Sequence, residues 1–132
     1  MRTSLLRMAI VYLALSATDA SAQATKLMIF GGDDHKIYLG CLNCSQYAVD
    51  SVHNEYNNYG SQYSATSIFN QYGVYGSPYS NTSACNQYAN QPPVIVDSDG
   101  NFYGRLTLNE YHPQASKNET LVAWLTNSVC QH

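Results

Sequence analysis

A tandem repeat of sixteen residues runs from Ser45 to Pro93 and limits the possible folds of this chain more than any other feature. Its three copies read SQYAVDSVHNEYNNYG, SQYSATSIFNQYGVYG and SPYSNTSACNQYANQPP. A fixed period means that one structural unit is built several times. Three copies are few for an open array, and the third carries Cys85. The block 45–93 is therefore predicted to be an insertion within a single domain.

Two polar positions recur in every copy of the repeat. A serine can accept a hydrogen bond from a free backbone N–H, as a helix N-cap does, and an asparagine amide often satisfies backbone groups at a turn. Each copy is predicted to form a short helical turn followed by an irregular link. The six residues given this structural role are Ser51, Asn54, Ser67, Asn70, Ser83 and Asn86.

Tyrosines also recur at fixed places in the repeat. Rings that share one exposed face could contact a ligand, whereas buried rings would be packing elements with bonded hydroxyls. The sequence favours packing, because exposed aromatic clusters are uncommon on soluble proteins. The candidate ligand contacts are Tyr47, Tyr63, Tyr79, Tyr59 and Tyr75.

Two related hairpins are predicted on either side of the repeats. Both contain an aromatic residue, a Gly two residues later and a Leu four residues later, as in Tyr38–Leu42 and Phe102–Leu106. Asp99-Gly100 predicts a two-residue turn that pairs Val96 with Tyr103. Together the hairpins predict a small four-stranded antiparallel sheet. The expected strands are Lys26–Phe30, Ile37–Leu42, Val94–Val96 and Phe102–Leu108.

The C-terminal segment predicts an amphipathic helix. Ser116–Glu119 has the pattern of a capping box, and apolar residues follow at helical spacing, among them Trp124. This helix is expected to cover one face of the sheet, with Trp124 as its main anchor. The predicted fold class is α+β, with two hairpins, short helical-turn repeats between them, and disulfides that staple the domain.

Residues 1–22 have the features of a secretory signal peptide. Arg2 and Arg7 precede an apolar run, and Ala20-Ser21-Ala22 matches a cleavage site. The run is too short to span a bilayer of about 30 Å. We expect a secreted or periplasmic protein with one small domain, 23–132, and no membrane contact after cleavage. The net charge of −3 gives no basis for binding nucleic acid.

Four cysteines follow the predicted cleavage site. An even count in a small exported domain predicts two disulfides, with three possible connectivities. We favour Cys44–Cys85 with Cys41–Cys130, which would tie the C-terminal helix to the first hairpin. The Cys41-x-x-Cys44 spacing also allows a redox pair, although the thioredoxin-like context of such pairs is missing.

Other signs of chemistry are weak. The acidic turns Asp33-Asp34 and 97–101 contain fragments of a calcium loop, but the glutamate that would complete an EF-hand is absent. The four histidines are scattered without metal-ligand spacing. No metal site and no cofactor is predicted.

The chain resembles a group of small exported bacterial proteins that have no assigned activity. The resemblance rests on Tyr38–Asn43, on repeats of the form DSIxNxYGxYGSxYS, and on the PPVIVD hairpin at Pro92–Asp97. It covers about 37–109, and copy one departs from it at Asn57-Asn58, where a glycine is expected. The resemblance implies a family and an exported location but no catalytic residues.

The leading functional hypothesis is a non-catalytic binding or interaction module. Its surface is rich in Tyr, Asn and Gln and poor in charge, which suits contact with a cell-wall polymer or another glycan, or with another exported protein. One alternative is a thiol-dependent exported enzyme that uses Cys41 and Cys44. The other is a purely structural or assembly protein.

Overall fold

A computed structural model describes residues 25–131, so the predicted signal peptide, 1–22, lies outside the described residues. The described part contains four strands and one C-terminal helix that changes type along its length. No helix in 25–131 is long and apolar enough to cross a membrane. The strands are β1 (Met28–Gly31), β2 (Ile37–Cys41), β3 (Val94–Val96) and β4 (Phe102–Arg105); α1 (Glu119–Trp124) continues as a π-helical segment (Leu125–Val129).

The strands form one antiparallel sheet in the order β2-β1-β3-β4, so the prediction of an α+β domain with two hairpins in one sheet is confirmed. The hairpins meet through β1 and β3, where Ile29 pairs with Ile95. Around this pair the register is symmetrical, with Met28 opposite Val96 and Phe30 opposite Val94. The two halves of the sheet are therefore related by an approximate twofold axis.

The turn of the second hairpin differs from the prediction. Asp97 closes the turn, because its C=O accepts from Gly100 N at 3.1 Å, and only Gly100 among the turn residues has a positive φ, 85°. Val94 pairs with Arg105, but Val96 pairs with Phe102 instead of the predicted Tyr103. The Asp97 side chain also accepts hydrogen bonds from the backbone N–H groups of Asp99 and Asn101. These bonds favour a loop longer than the predicted two-residue turn, with Gly100 near its end.

The hydrophobic core lies between one face of the sheet and the repeats. The sheet contributes Ile29, Leu39 and Ile95, which are all buried. Each repeat contributes the residue that follows its buried serine, and the π-helical segment completes the cluster. These residues are Val52, Ile68 and Ala84 from the repeats, and Leu125 and Val129 from the C-terminus.

The repeats are not short helical turns, as predicted, but a chain of β-turns that advances three residues at a time. In copy two, Ser64, Ser67 and Asn70 each donate their backbone N–H to the carbonyl three residues earlier, at 3.5, 3.2 and 3.4 Å. The side chain that opens a turn accepts the N–H two residues ahead, as Ser67 Oγ does from Phe69 at 3.0 Å. Because an acceptor recurs at nearly every third residue, each turn is closed locally and no helix propagates.

One longer step explains the period of sixteen. After four steps of three residues, Ser61 N bonds to Asn57 O and Ser77 N bonds to Gly73 O, which are steps of four residues. A glycine lies within each longer step. A Cβ at Gly76 would lie closer than 3.0 Å to the carbonyl oxygens of Ile68 and Asn70, so no larger residue fits without backbone movement.

The recurring serines and asparagines hold this chain of turns together. Ser51, Ser67 and Ser83 are fully buried. The asparagines use both ends of the amide: Asn70 Oδ1 accepts from Tyr72 N at 3.0 Å, and its Nδ2 donates to Ser64 O at 3.1 Å. The equivalent pairs of bonds occur at Asn54 and Asn86.

The departure from the repeat pattern in copy one has a local explanation. Asn57 stands where copy two has Gly73. Its Oδ1 accepts from Tyr59 N at 2.7 Å and from Gly60 N at 2.8 Å, while its Nδ2 donates to Ser51 O at 3.0 Å. The amide therefore supplies side-chain bonds that a glycine cannot make.

The C-terminal helix begins two residues later than the capping box predicts. Asn118 is its N-cap, since Asn118 Oδ1 accepts from Leu121 N at 3.0 Å, whereas Ser116 Oγ accepts from Asn118 N at 3.3 Å in one more turn. Trp124 is not the main anchor. It is half-buried, with its ring centroid 5.4 Å from that of His53, and the buried anchors are Leu125 and Val129.

Both disulfides form, but the predicted pairing is wrong. The bonds are Cys41–Cys44 and Cys85–Cys130. The first lies at the end of β2, where Cys41 also bridges to Ser51. The second ties the third repeat, instead of the first hairpin, to the C-terminal helix. The turn chain places Cys85 beside the helix end, an arrangement that cysteine spacing alone does not reveal.

We expect the two disulfides to differ in their contribution to stability. Cys85–Cys130 spans 45 residues and Cys41–Cys44 spans three. The chain-entropy relation gives about 4 kcal/mol for the long loop and about 2 kcal/mol for the short one. Replacing each pair by alanine and measuring urea unfolding should show the larger loss for Cys85→Ala/Cys130→Ala. Equal losses, or peptide mapping that links Cys44 to Cys85, would contradict the observed arrangement.

Candidate functional site

Seven tyrosine side chains are almost fully exposed, which is the opposite of the packing that the sequence favours. Their exposed fractions range from 81% at Tyr88 to 90% at Tyr56. None of them is paired with another aromatic ring in the described chain. The seven are Tyr47, Tyr56, Tyr63, Tyr72, Tyr79, Tyr88 and Tyr111.

All seven exposed tyrosines occupy the same position of a turn. The backbone N–H of each bonds to the side chain of a Ser or Asn two residues earlier, as Tyr63 N does to Ser61 Oγ at 3.1 Å. The same bond holds Tyr72 to Asn70 and Tyr111 to Asn109. The remaining four bonds join residue pairs 45/47, 54/56, 77/79 and 86/88. The turn bond therefore fixes the backbone from which each ring projects.

The five predicted contact residues divide into two groups. Tyr47, Tyr63 and Tyr79 are exposed, whereas Tyr59 and Tyr75 are half-buried and pack against the core. The Tyr59 ring lies 5.2 Å from that of Tyr38, and burial raises the pKa of Tyr75, with a smaller contribution from Asp34 and Asp33.

The candidate set therefore omitted Tyr56, Tyr72, Tyr88 and Tyr111. The sequence carries a signal that could have found them. In each case a Ser or Asn stands two residues before the tyrosine, although the half-buried Tyr59 also follows Asn57 in this way.

Three of the exposed tyrosines line two adjacent cavities, which together we call the tyrosine cleft. Tyr56 and Tyr63 border a cavity of about 740 Å³ together with Trp124 of α1. Tyr63 and Tyr72 border the next cavity, of about 540 Å³, beside Ser128. The two cavities share Gln62, Tyr63 and Phe69, so they are neighbours beside the C-terminal helix.

A second cleft lies elsewhere along α1. It has a volume of about 870 Å³ and is lined by Tyr88 and Tyr111 on the turn side and by Val122 and Thr126 on the helix side. Lys117 and Glu119 also line it. It is therefore more charged than the tyrosine cleft, whose lining includes a single charged residue, Glu55. Tyr47 and Tyr79 lie outside both clefts.

The predicted redox pair is present as a disulfide. Cys41 is fully buried and Cys44 is half-buried. An external thiolate would therefore reach Cys44 more readily than Cys41. All four cysteines of the chain are paired, so a free thiol requires reduction.

Two of the histidines make local structural bonds. His53 Nε2 lies 2.7 Å from Leu42 O, so this nitrogen carries the proton and donates it. His112 Nε2 lies 3.0 Å from Asn90 O, and its Nδ1 accepts from Gln114 N. Across 25–131, no group of three or more His, Cys, Asp or Glu could hold a metal ion.

In the acidic turn after β3, the Asp97 carboxylate is hydrogen-bonded to groups of the same hairpin. Asp97 is buried, and its Oδ1 accepts from the backbone N–H groups of Asp99 and Asn101 at 2.9 and 3.0 Å. Its Oδ2 accepts from Asn101 Nδ2 at 2.9 Å and from the Tyr103 hydroxyl at 2.8 Å. The bond from Asn101, followed by that from Tyr103, lowers the pKa of Asp97 to about 2. The Asp97 carboxylate therefore stabilises the turn.

Comparison with known proteins gave no match to a family model, to a curated protein or to a solved structure.

The Asp97 carboxylate should contribute to acid stability. Its folded pKa of about 2 lies below the usual value of about 3.9, so its contribution is present above pH 4 and is lost as the pH falls toward 2. Thermal unfolding between pH 6 and pH 2 should therefore show a shallower loss for Asp97→Asn than for wild type. Asp99→Asn is the control, since the exposed Asp99 side chain makes no hydrogen bond in the described part of the chain, and it should follow wild type. Parallel curves for wild type and Asp97→Asn would contradict this role.

Proposed function

We propose that this protein is a non-catalytic binding module that contacts a glycan, such as a cell-wall polymer, through the tyrosine cleft. The observation that carries the proposal is the exposure of seven tyrosines held at one turn position. Aromatic side chains account for much of the binding energy at interfaces, and leaving them in water gives up the free energy of burying them. A surface that keeps so many rings exposed is typical of an interaction site.

The tyrosine cleft suits a neutral polymer with repeating units. Tyr56, Tyr63 and Tyr72 follow one another beside α1 and can offer successive flat apolar surfaces to sugar rings. Gln62 and Gln71 lie between them and can exchange hydrogen bonds with hydroxyl groups. Since Glu55 is the only charged lining residue, the cleft offers little attraction to a polyanion.

Location and family are part of the same proposal. Two disulfides are typical of proteins that fold in an oxidising compartment, which supports a secreted or periplasmic location. We also propose that the chain belongs with the small exported bacterial proteins that it resembles. The motifs of that resemblance coincide with β2, the turn chain and β3.

Assembly is a second candidate function, and the same exposed rings favour it. Tyrosine-rich surfaces also bind proteins, including other copies of the same chain. Self-association would then depend on protein concentration and would bury the rings without any glycan. The thiol-dependent enzyme remains a third proposal, which requires that mild reductant opens Cys41–Cys44 and exposes it to alkylation.

Glycan binding should depend on Tyr63. We expect wild-type protein to be retained on immobilised peptidoglycan or neutral glycans and Tyr63→Ala to bind roughly tenfold more weakly, as one lost ring contact of about 1.4 kcal/mol implies. The Tyr63 side chain is 84% exposed, so its removal should leave folding unchanged. Tyr79→Ala is the matched control, because Tyr79 is equally exposed, occupies the same turn position and lies outside the cleft.

Three outcomes would separate the proposals. Absence of wild-type retention on any glycan would refute the binding module. Equal losses for Tyr63→Ala and Tyr79→Ala would contradict the placement of the site in the tyrosine cleft. If the protein is no longer retained at concentrations at which sizing experiments show a monomer, the assembly proposal is supported instead.

A further inference from the structure

Arg105, at the end of β4, is a buried cation without a carboxylate partner. Only 8% of its surface is exposed. Its Nε donates to Gln114 Oε1 at 2.7 Å, and its Nη1 donates to Pro92 O at 2.7 Å and lies 3.2 Å from His35 Nε2. None of these partners is an anion. Within 25–131, the one ion pair is Lys26–Asp50, which does not involve Arg105.

Burying Arg105 without an anionic partner costs folding free energy in the protein without a ligand. A buried charge is strongly disfavoured unless it is paired as well as hydrogen-bonded. Burial lowers the pKa of Arg105, but a guanidinium remains protonated at physiological pH. The guanidinium nitrogen Nη2 also makes no hydrogen bond to any described residue. The site therefore holds a cation that is fixed in place and only partly satisfied.

The segment that follows the first hairpin carries a carboxylate where the segment that follows the second hairpin has none. Asp50 and Gln114 are equivalent, because Cys41 N donates to Asp50 O at 2.7 Å and Arg105 N donates to Gln114 O at 2.8 Å. Asp50 Oδ2 accepts from Lys26 Nζ at 2.8 Å and from the Tyr38 hydroxyl at 2.7 Å. At the equivalent position, Gln114 binds one N–H of Arg105 but carries no charge.

Arg105 opens onto an apolar cavity of about 350 Å³. Phe30, Val94, Val96 and Phe102 form its apolar wall, and Arg105, His35 and Gln114 form its polar end. His35 has φ 59°, and it is the one residue other than glycine with a positive φ among 25–131. This left-handed conformation belongs to the turn after β1, which His35 N closes by donating to Gly32 O at 3.1 Å, and the same turn places the His35 ring beside Arg105.

We propose that this cavity binds a small organic carboxylate with an apolar body. The carboxylate would accept a hydrogen bond from Nη2, the guanidinium nitrogen that has no partner among the described residues, and its charge would pair with that of Arg105. The apolar body would lie against Phe30, Val96 and Phe102. The cavity volume falls at the lower end of the range for small-molecule sites, which suits a ligand with a single ring or a short chain.

Benzoate and benzamide make a matched pair of probes. They share the ring and nearly the same shape, and only benzoate carries a negative charge that can pair with Arg105. In a titration of the mature protein followed by amide and side-chain NMR shifts, benzoate should perturb residues of the cavity. Its dissociation constant should be at least tenfold lower than that of benzamide. Equal affinities, shifts centred elsewhere, or no binding of either probe would overturn the proposal.

Three variants test the location and the charge of the site. Phe102→Ala should weaken benzoate binding severalfold while leaving the fold intact, because 49% of Phe102 is exposed. Tyr63→Ala, in the separate tyrosine cleft, should leave benzoate binding unchanged. Arg105→Lys is informative only if it unfolds like wild type, and it should then reduce the preference for benzoate over benzamide. An unchanged affinity for benzoate in Phe102→Ala would contradict the proposed pose, whatever the outcome of the glycan experiment.

Discussion

A hydrogen bond from a backbone N–H to a Ser or Asn side chain two residues earlier organises nearly half of the described chain. Between Ser45 and Ala89 there is neither a strand nor a helix, yet this segment forms one layer of the core. Buried backbone groups must find partners, and an irregular segment ordinarily leaves too many of them unpaired. Here nearly every turn provides its own side-chain acceptor, so the segment can pack without regular secondary structure.

The same bond links the interior to the surface. Within a repeat, one turn begins at a buried serine and directs Val52, Ile68 or Ala84 into the core. Other turns begin at more accessible serines and asparagines and are followed by an exposed tyrosine. Because the turns succeed one another at fixed steps, exposed tyrosines recur along the turn chain, and Tyr56, Tyr63 and Tyr72 line the cavities beside the C-terminal helix. The proposed glycan site is therefore a consequence of the way in which the core is built.

The sequence predicted the elements whose patterns are local. Apolar runs around turn residues gave both hairpins, and the similarity of Tyr38–Leu42 to Phe102–Leu106 indicated a single sheet. The even cysteine count indicated two disulfides. Helical turns in the repeats were a wrong prediction, since a serine followed by five residues fits a helix start as well as a turn. Only the recurrence of acceptors at three-residue steps separates the two.

The candidate sites were harder to predict for a different reason. Exposure of the tyrosines depends on which turn position faces the core, and the pairing of Cys85 with Cys130 depends on the path of the whole turn chain. The cavity at Arg105 brings together residues from β1, β3, β4 and two loops. Its main feature is a missing carboxylate. The lack of a carboxylate beside Arg105 is recognised only from the structure, in which Gln114 and Asp50 occupy equivalent positions.

The central claim is that buried side-chain acceptors stabilise the turn chain, and Ser67→Ala tests it most directly. Ser67 is fully buried and accepts from Phe69 N at 3.0 Å. The variant should lose about 1–2 kcal/mol of unfolding free energy, and the Phe69 amide should exchange with solvent faster, because that N–H loses its partner. Ser45→Ala removes the same bond at an exposed turn and should cost less. Unchanged stability and unchanged exchange at Phe69 would contradict the account.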